Sequence, residues 1–156
     1  MKAILHIFNY TCGNCGKSFQ APAALHSSYG EFLMRSERGA EAYLNASQDL
    51  TYSEISEAIR RHSAVARLKA RKQAEVVQAI FSSLCDEDSD GSEFRIGRLP
   101  ACPYCGATQI SHWEATEPPQ LVEKELAAVT HKKWDGLSAA EKEAFLNEAL
   151  SRLIAV

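Results

Sequence analysis

The sequence predicts an α+β fold in which a small antiparallel β unit is split by a helical insertion and followed by C-terminal helices. Three observations support this prediction. Two cysteine pairs of identical spacing, Cys12/Cys15 and Cys102/Cys105, each lie between strand-like segments. Between the pairs, apolar residues recur every three or four positions, which is the period of an α-helix. A second apolar stripe with that period lies near the end of the sequence.

Composition narrows the class of protein. The chain has 156 residues, of which 46% are hydrophobic and 24% charged, so we expect a buried core rather than global disorder. The formal net charge of -3 indicates neither a polyanion-binding protein nor an acidic tail. No run approaches the roughly 20 apolar residues of a membrane span, and no targeting segment is evident. We therefore expect a cytoplasmic protein without a membrane partner, in a reducing compartment where paired cysteines bind metal more often than they form disulfides.

The first half of the β unit is predicted over residues 1–25. Residues 3–10 are apolar and β-prone, and a short strand over 17–20 follows the first cysteine pair. We expect the Ala-Pro-Ala sequence at 21–23 to end this strand.

The second half of the β unit is predicted over residues 94–118. Residues 94–100 alternate between polar and apolar side chains, as a strand does, and lead into the second cysteine pair. Residues 108–116 form the next predicted strand, with Ile110 and Trp113 expected to point inward.

The insertion between these halves, residues 26–93, is predicted to be helical and to end in a linker. Thr51 and Glu54 have the spacing of a capping box, which opens an apolar stripe of about 30 residues. This stripe predicts one long helix, or two helices if Ser63 introduces a kink. Residues 86–93 (DEDSDGSE) predict a flexible acidic linker. A shorter helix, with Gly39 as its weak point, is predicted from about 28 to 44 on the positions Tyr29, Phe32, Leu33, Ala40, Tyr43 and Leu44.

The C-terminal segment, residues 119–156, is predicted to consist of helices. Apolar positions between 121 and 134 suit one helix, which Gly136 is expected to stop. Ser138 and Glu141 form a second capping box, and an apolar stripe follows it.

The two cysteine pairs are the most specific chemical signal in the sequence. They read Cys-Gly-Asn-Cys-Gly from Cys12 and Cys-Pro-Tyr-Cys-Gly from Cys102. Zn²⁺ takes four tetrahedral ligands, thiolates are favoured at closed structural sites, and a C-x-x-C turn lets both of its sulfurs reach one ion. The turn benefits from a residue with positive φ after its second cysteine, which glycine supplies without steric cost. The sequence therefore predicts one structural Zn²⁺ held by Cys12, Cys15, Cys102 and Cys105, with iron as the alternative metal.

This pattern resembles a zinc ribbon, a family in which two such turns, called knuckles, surround one structural zinc on β-hairpins. The resemblance covers roughly residues 3–22 and 94–117. The spacing departs from the usual pattern, because residues 16–101, 86 in number, lie between the pairs where about 15–20 are common. The resemblance thus implies a ribbon that carries an insertion. The remaining cysteine, Cys85, is expected to be a buried structural thiol.

A redox function is the weaker alternative for the cysteine pairs. Cys-Pro-Tyr-Cys is also a glutaredoxin-type sequence, and Cys-Gly-Asn-Cys differs by one residue from the thioredoxin type. The segments that follow do not alternate as βαβ, and a single redox motif would leave the second pair unexplained. No catalytic set of side chains can be named, so an enzyme is not expected.

Two further features suggest binding surfaces. Zinc ribbons often bind nucleic acid, so the resemblance implies nucleic-acid binding as an alternative to our first expectation, a zinc-binding adaptor with an unidentified protein partner. Trp134 is a candidate protein contact, and the favoured alternative is that it packs the helical turn against the last helix. Basic residues on the predicted long helix are the candidate contacts for nucleic acid or an acidic partner: Arg60, Arg61, Arg67, Arg71 and Lys72. Lys69 lies among them.

Overall fold

A computed structural model describes residues 2–24 and 30–154 and confirms the α+β class. None of the helices in these two ranges has the length and apolar character needed to cross a membrane. The strands are β1 (Lys2–Cys12), β2 (Ser18–Ala24), β3 (Glu31–Arg35), β4 (Glu41–Asn45), β5 (Arg95–Ile96), β6 (Ile110–Ala115), β7 (Leu121–Glu125) and β8 (Ala127–Ala128). The helices are α1 (Leu50–Arg61), α2 (Ser63–Ala66), α3 (Ala70–Leu84), α4 (Lys132–Asp135) and α5 (Ala139–Ile154).

The first sheet is built around the long strand β1. Strand β2 pairs with one edge of β1, and β6 and β7 pair in turn along its other edge, all antiparallel. The predicted strand end at 21–23 is wrong, because Pro22 continues β2 opposite Ile7. Proline is tolerated there since β2 is an edge strand. Trp113 of β6 is 54% exposed rather than inward, whereas Ile110 packs against the ribbon's apolar cluster.

The second sheet replaces the first helix predicted for the insertion. Strands β3 and β4 form an antiparallel hairpin, with β5 antiparallel to β3 and β8 parallel to β4. The backbone N–H of Ser36 donates to the carbonyl of Ala40 at 3.0 Å, and Gly39 turns the chain with φ +85°. The weak point of the predicted helix is thus the reversal of a hairpin. Tyr29, one of the positions used for that helix, lies outside the described residues.

The single long helix predicted after residue 51 is also wrong. The side chain of Asp49 accepts the backbone N–H of Tyr52 at 2.9 Å, so Asp49 caps α1 and the predicted Thr51–Glu54 capping box does not. Helix α1 ends before His62, whose backbone is extended, and α2 begins at Ser63. The alternative prediction, a kink at Ser63, therefore marks the right position. A second break precedes α3, so the stripe is divided among three helices.

The C-terminal segment contains strands where one helix was predicted. Leu121–Glu125 forms β7, because it pairs with β1, and Ala127–Ala128 forms β8, because it pairs with β4. The second capping box is confirmed: Ser138 N–H donates to Glu141 Oε1 at 3.0 Å, and Glu141 N–H donates to Ser138 Oγ at 3.2 Å.

The acidic segment at 86–93 is a hydrogen-bonded connection rather than a flexible linker. Asp86 accepts the hydroxyl of Thr130 at 2.7 Å and the backbone N–H groups of Lys132 and Lys133 at 2.9 and 3.3 Å. These contacts join the end of α3 to the start of α4.

The main core lies between the second sheet and helices α1, α3 and α5. Its fully buried side chains include Met34, Ile55, Phe81 and Trp134. A buried guanidinium, that of Arg35, links this body to the first sheet, since it donates to the carbonyls of Pro22 and, at 3.2 Å, Arg98.

Candidate metal centre

The two knuckles bring four sulfur atoms to one place. The Sγ atoms of Cys12, Cys15, Cys102 and Cys105 all lie within 4.8 Å of one another. Cys12 and Cys105 are 3.6 Å apart, and Cys15 and Cys102 are 3.7 Å apart. A tetrahedral ion with metal–sulfur bonds of about 2.3 Å would place its ligands about 3.8 Å apart. The predicted cluster is confirmed, and these four cysteines are positioned to hold a metal ion.

Backbone hydrogen bonds shape the first knuckle at the turn from β1 to β2. Cys12 N–H donates to the carbonyl of Lys17 at 2.9 Å, and Gly16 N–H donates to the carbonyl of Cys12 at 3.1 Å. The N–H groups of Asn14 and Cys15 approach the Cys12 sulfur at 3.4 and 3.5 Å. Gly16 has φ +75°, a conformation that side-chain-bearing residues rarely adopt. The turn therefore directs backbone dipoles at a sulfur that is anionic when it binds metal.

The second knuckle repeats this geometry before β6. Cys102 N–H donates to the carbonyl of Ala107 at 2.8 Å, and Gly106 N–H donates to the carbonyl of Cys102 at 2.8 Å. Gly106 again has φ +75°. The Asn14 side chain crosses from the first knuckle and lies 3.6 Å from the Cys105 sulfur. Two separate sequences thus form the same turn, which confirms the role predicted for the two glycines.

The four sulfurs lie at the boundary between solvent and the apolar cluster that contains Tyr10 and Phe19. Cys12 and Cys102 are buried, and Cys15 and Cys105 are exposed. The buried pair packs with Tyr10 and Phe19, whose rings stack with centroids 5.5 Å apart. The first cysteine of each knuckle therefore belongs to the apolar cluster, and the second completes the cluster's outer side.

Hydrogen bonds and neighbouring sulfurs separate the pKa values of the thiols. The backbone N–H of Cys15 lowers the pKa of Cys12. The backbone N–H of Ala107, helped by the Asn14 side chain, lowers the pKa of Cys105 to about 6. For Cys15, the backbone N–H of Lys17 also lowers the pKa of the thiol. Burial and the surrounding sulfurs outweigh this hydrogen bond and raise the pKa of Cys15 to about 11. The site thus favours the thiolate form at Cys12 and Cys105 and the protonated thiol at Cys15, as is expected where four thiols converge.

The fifth cysteine is separate from this cluster. Cys85 is buried at the end of α3, and its thiol donates to the carbonyl of Phe81 at 3.3 Å. Burial, with a smaller contribution from Asp49, raises its pKa to about 12. These contacts agree with the structural role expected for it.

The other predicted contacts lie elsewhere. The five basic residues are all exposed, but the helix breaks distribute them over the end of α1, the residue after α2 and the first turn of α3. Trp134 is only 2% exposed, with its ring edge-on to Phe145 at 6.2 Å. It is therefore a core residue and not a surface contact.

Sequence reasoning missed two side chains beside the metal centre. Lys17 Nζ lies 4.9 Å from the centre of the Tyr104 ring, so a cation–π contact joins the two knuckles on their outer side. Tyr104 is 60% exposed there. Tyr104 lies inside the second C-x-x-C, and Lys17 directly follows Gly16. These two positions were the signal available in the sequence.

No protein-family model matches this sequence, and neither the curated proteins nor the solved structures contain a significant match. The assignment of the metal centre rests on the arrangement of the four sulfurs and their two knuckles.

Proposed function

We propose that this chain is a zinc-binding, non-catalytic binding protein, in which one structural Zn²⁺ supports a helical interaction surface. The observation that supports the metal assignment is the sulfur spacing of 3.6 and 3.7 Å, against the spacing of about 3.8 Å around a tetrahedral zinc. Four thiolates fill the coordination shell of zinc, so no position is left for a substrate or a reactive water. A structural role follows from this closed set of ligands.

The proposed role of the metal is to close the fold. Among the residues that the structure describes, the apolar cluster beside the sulfurs has four buried members, Tyr10, Cys12, Phe19 and Cys102, with partly buried side chains around them, which is a small core. When bound, zinc supplies folding free energy directly. The four cysteines would join the β1–β2 turn to the segment before β6, and so link the parts of the chain on either side of the insertion.

The geometry argues against the alternative of a thiol oxidoreductase. Redox C-x-x-C motifs rely on a helix N-terminus or a nearby cation to lower the pKa of the attacking thiol. In the described ranges, both pairs lie in turns next to strands, and neither begins a helix. Each buried cysteine also faces sulfur atoms from the opposite knuckle, as a metal site requires.

Elemental analysis of the protein, purified in reducing buffer, tests the metal proposal. We expect about one zinc per chain. Cobalt substitution should add a sulfur-to-cobalt charge-transfer band and the visible bands of tetrahedral cobalt, and the protein should show no dithiol turnover. Iron in place of zinc would contradict the zinc assignment but would agree with a four-cysteine metal site. A folded, metal-free protein with four reactive thiols would refute the proposal.

A groove between α1 and α5 is the surface we assign to a protein partner. It has a volume of about 700 Å³, and Leu50 at its rim is 86% exposed. Three glutamates, Glu54, Glu57 and Glu143, line it together with Arg61, His62 and Lys142, and Lys142 is paired with Glu54 at 3.1 Å. The exposed Leu50 beside Glu57 and Glu143 suits a helix whose apolar face is flanked by lysine or arginine.

Designed peptides test this partner chemistry. A Leu/Lys amphipathic helix should bind in an anisotropy assay, and Leu50→Ser should weaken that binding. The matched control is Leu153→Ser, because Leu153 is also exposed but lines a different groove between α3 and α5. Equal binding of a Leu/Glu helix, or equal loss in both variants, would contradict the assignment.

A further inference from the structure

Six basic residues lie within the 13 residues, 60–72, that connect α1, α2 and α3, and one of them, Arg61, also lines the groove between α1 and α5. We call the surface of these six residues the basic corner, and each of its members is exposed. It combines the end of α1, the connection after α2 and the first turn of α3. Its members are Arg60, Arg61, Arg67, Lys69, Arg71 and Lys72.

The basic corner carries far more positive than negative charge. Within the described parts of the chain, its members form ion pairs with one carboxylate, that of Glu75, at 3.8 Å from Arg71 and 3.4 Å from Lys72. The sequence has no acidic residue between Glu57 and Glu75. This concentration contrasts with the net charge of -3 for the whole chain, so it is a local feature of this surface.

A glutamine holds the corner in shape. Gln73 Nε2 lies 3.1 Å from the carbonyl of Val65 and 3.1 Å from that of Leu68, on either side of the connection after α2. Its Oε1 accepts Arg60 Nη1 from the end of α1 at 3.1 Å. One side chain thus fixes all three helices relative to one another, and the cations are displayed on an ordered support rather than on a loose loop.

We propose that the basic corner binds the phosphate backbone of a nucleic-acid duplex. Lysine and arginine side chains contact phosphates and fix the position of a protein on a duplex. Residues 60–72 include no phenylalanine, tyrosine or tryptophan, so stacking on unpaired bases is not provided for. This proposal does not depend on the metal, since no metal ligand lies in the corner.

The apolar side chains nearby argue against an anionic membrane as the partner. A helix that lies in a membrane surface needs exposed apolar side chains beside its cations. Val65, between the basic positions, is fully buried, and Leu68 is partly buried against the core. The corner therefore offers charge without an apolar face for insertion.

Fluorescence anisotropy with short DNA and RNA duplexes tests the proposal on the full, metal-loaded chain. The logarithm of the affinity should fall linearly with the logarithm of salt concentration between about 50 and 200 mM. The variant Arg67→Gln/Lys69→Gln/Arg71→Gln should lose about tenfold or more in affinity at about 50 mM salt, and its salt slope should fall by about 2.7, or about 0.9 for each of three contacts. Comparison of the DNA and RNA probes shows which duplex is preferred.

The matched control removes the same charge from another surface. The variant Lys132→Gln/Lys133→Gln/Arg152→Gln changes three exposed cations on α4 and α5 and should bind within about twofold of the unchanged chain. Both variants should retain their zinc, which separates failure of this proposal from failure of the metal centre. The proposal is overturned by any of three results: no duplex binding at low salt, equal loss in both variants, or equal binding of polyglutamate or phosphatidylserine vesicles.

Discussion

The sulfur atoms of Cys12 and Cys105 lie 3.6 Å apart although 93 positions separate the two residues in the sequence. Cys12 ends β1, the strand at the centre of the first sheet, and Cys105 precedes β6, which pairs with that strand. The contact therefore joins the β1–β2 turn, which precedes the insertion, to the turn that follows the insertion and precedes β6. A metal ion bound there would stabilise the first sheet. It would also anchor the helical body to that sheet.

Replacing one of the four clustered cysteines should destabilise the protein far more than replacing Cys85, which is buried outside the cluster. We expect Cys12→Ser to lose the metal and to destabilise the protein by about 4 kcal/mol or more, because the metal supplies folding free energy. Cys85→Ser should keep the metal and cost only about 1 kcal/mol, since a hydroxyl can also donate to the Phe81 carbonyl. Metal content and urea unfolding of the two variants provide the measurement. Equal stability and equal metal content would contradict the assignment.

The glycines of the knuckles should be sensitive to backbone conformation alone. Gly16 and Gly106 both have φ +75°, and no atom lies within 4 Å of the position that a Cβ would occupy. Alanine at either position should therefore destabilise by about 1 kcal/mol through backbone strain, and asparagine by less.

A glycine outside the knuckles provides the control for this prediction. Gly136 has φ -80°, so Gly136→Ala should be neutral or slightly stabilising. Thermal unfolding of the alanine and asparagine variants measures all of these effects. An alanine at position 16 that costs no more than one at position 136 would show that the turn does not require its observed conformation.

Asp86 should make stability depend on pH. Burial alone would raise its pKa, but hydrogen bonds from the backbone N–H of Lys132, the hydroxyl of Thr130 and the backbone N–H of Lys133 outweigh burial and lower it. A lowered pKa stabilises the folded protein above the ordinary carboxyl pKa of about 3.9, and this contribution is lost as the pH falls through the folded value. Asp86→Asn should thus cost about 1 kcal/mol at neutral pH and progressively less below about pH 4.

Urea unfolding of the Asp86→Asn and unchanged chains over this pH range checks the prediction. The difference between the two proteins is the relevant quantity, because acid also protonates the cysteine thiolates in both. A difference that stays constant from neutral to acidic pH would show that the Asp86 charge does not stabilise the start of α4.

The two tryptophans should differ in their fluorescence. Trp134 is 2% exposed and Trp113 is 54% exposed. In Trp113→Phe only the buried indole emits, so we expect blue-shifted emission and little quenching by iodide. In Trp134→Phe the remaining emission should be red-shifted and readily quenched. Equal quenching in the two variants would contradict the placement of Trp134 in the core.

The metal centre was predictable from sequence because its signal is local. The C-x-x-C-G pattern specifies a turn, and two copies specify four ligands, whatever lies between them. The second capping box was predictable for the same reason, since Ser138 and Glu141 are three residues apart and its two hydrogen bonds join them to each other. Patterns of this kind depend little on distant parts of the chain.

The errors arose where distant pairing outweighs local preference. Residues 121–125 (Leu-Val-Glu-Lys-Glu) have good helix formers, yet they form β7 because an open edge of β1 lies beside them. The apolar positions from 28 to 44 suit either period over so short a range, and the positive φ of Gly39 decides for a hairpin. Asp49 caps α1 in place of Thr51 because the helix begins at Leu50, and the aspartate just before it reaches the free N–H groups of the first turn.

X-ray absorption at the zinc edge of the purified chain is the most direct test of the four-cysteine zinc site. We expect one zinc with four sulfur neighbours at about 2.3 Å and no nitrogen or oxygen ligand. Nitrogen or oxygen neighbours at about 2.0–2.2 Å would contradict the four-cysteine site, and so would a folded protein in which no metal is bound.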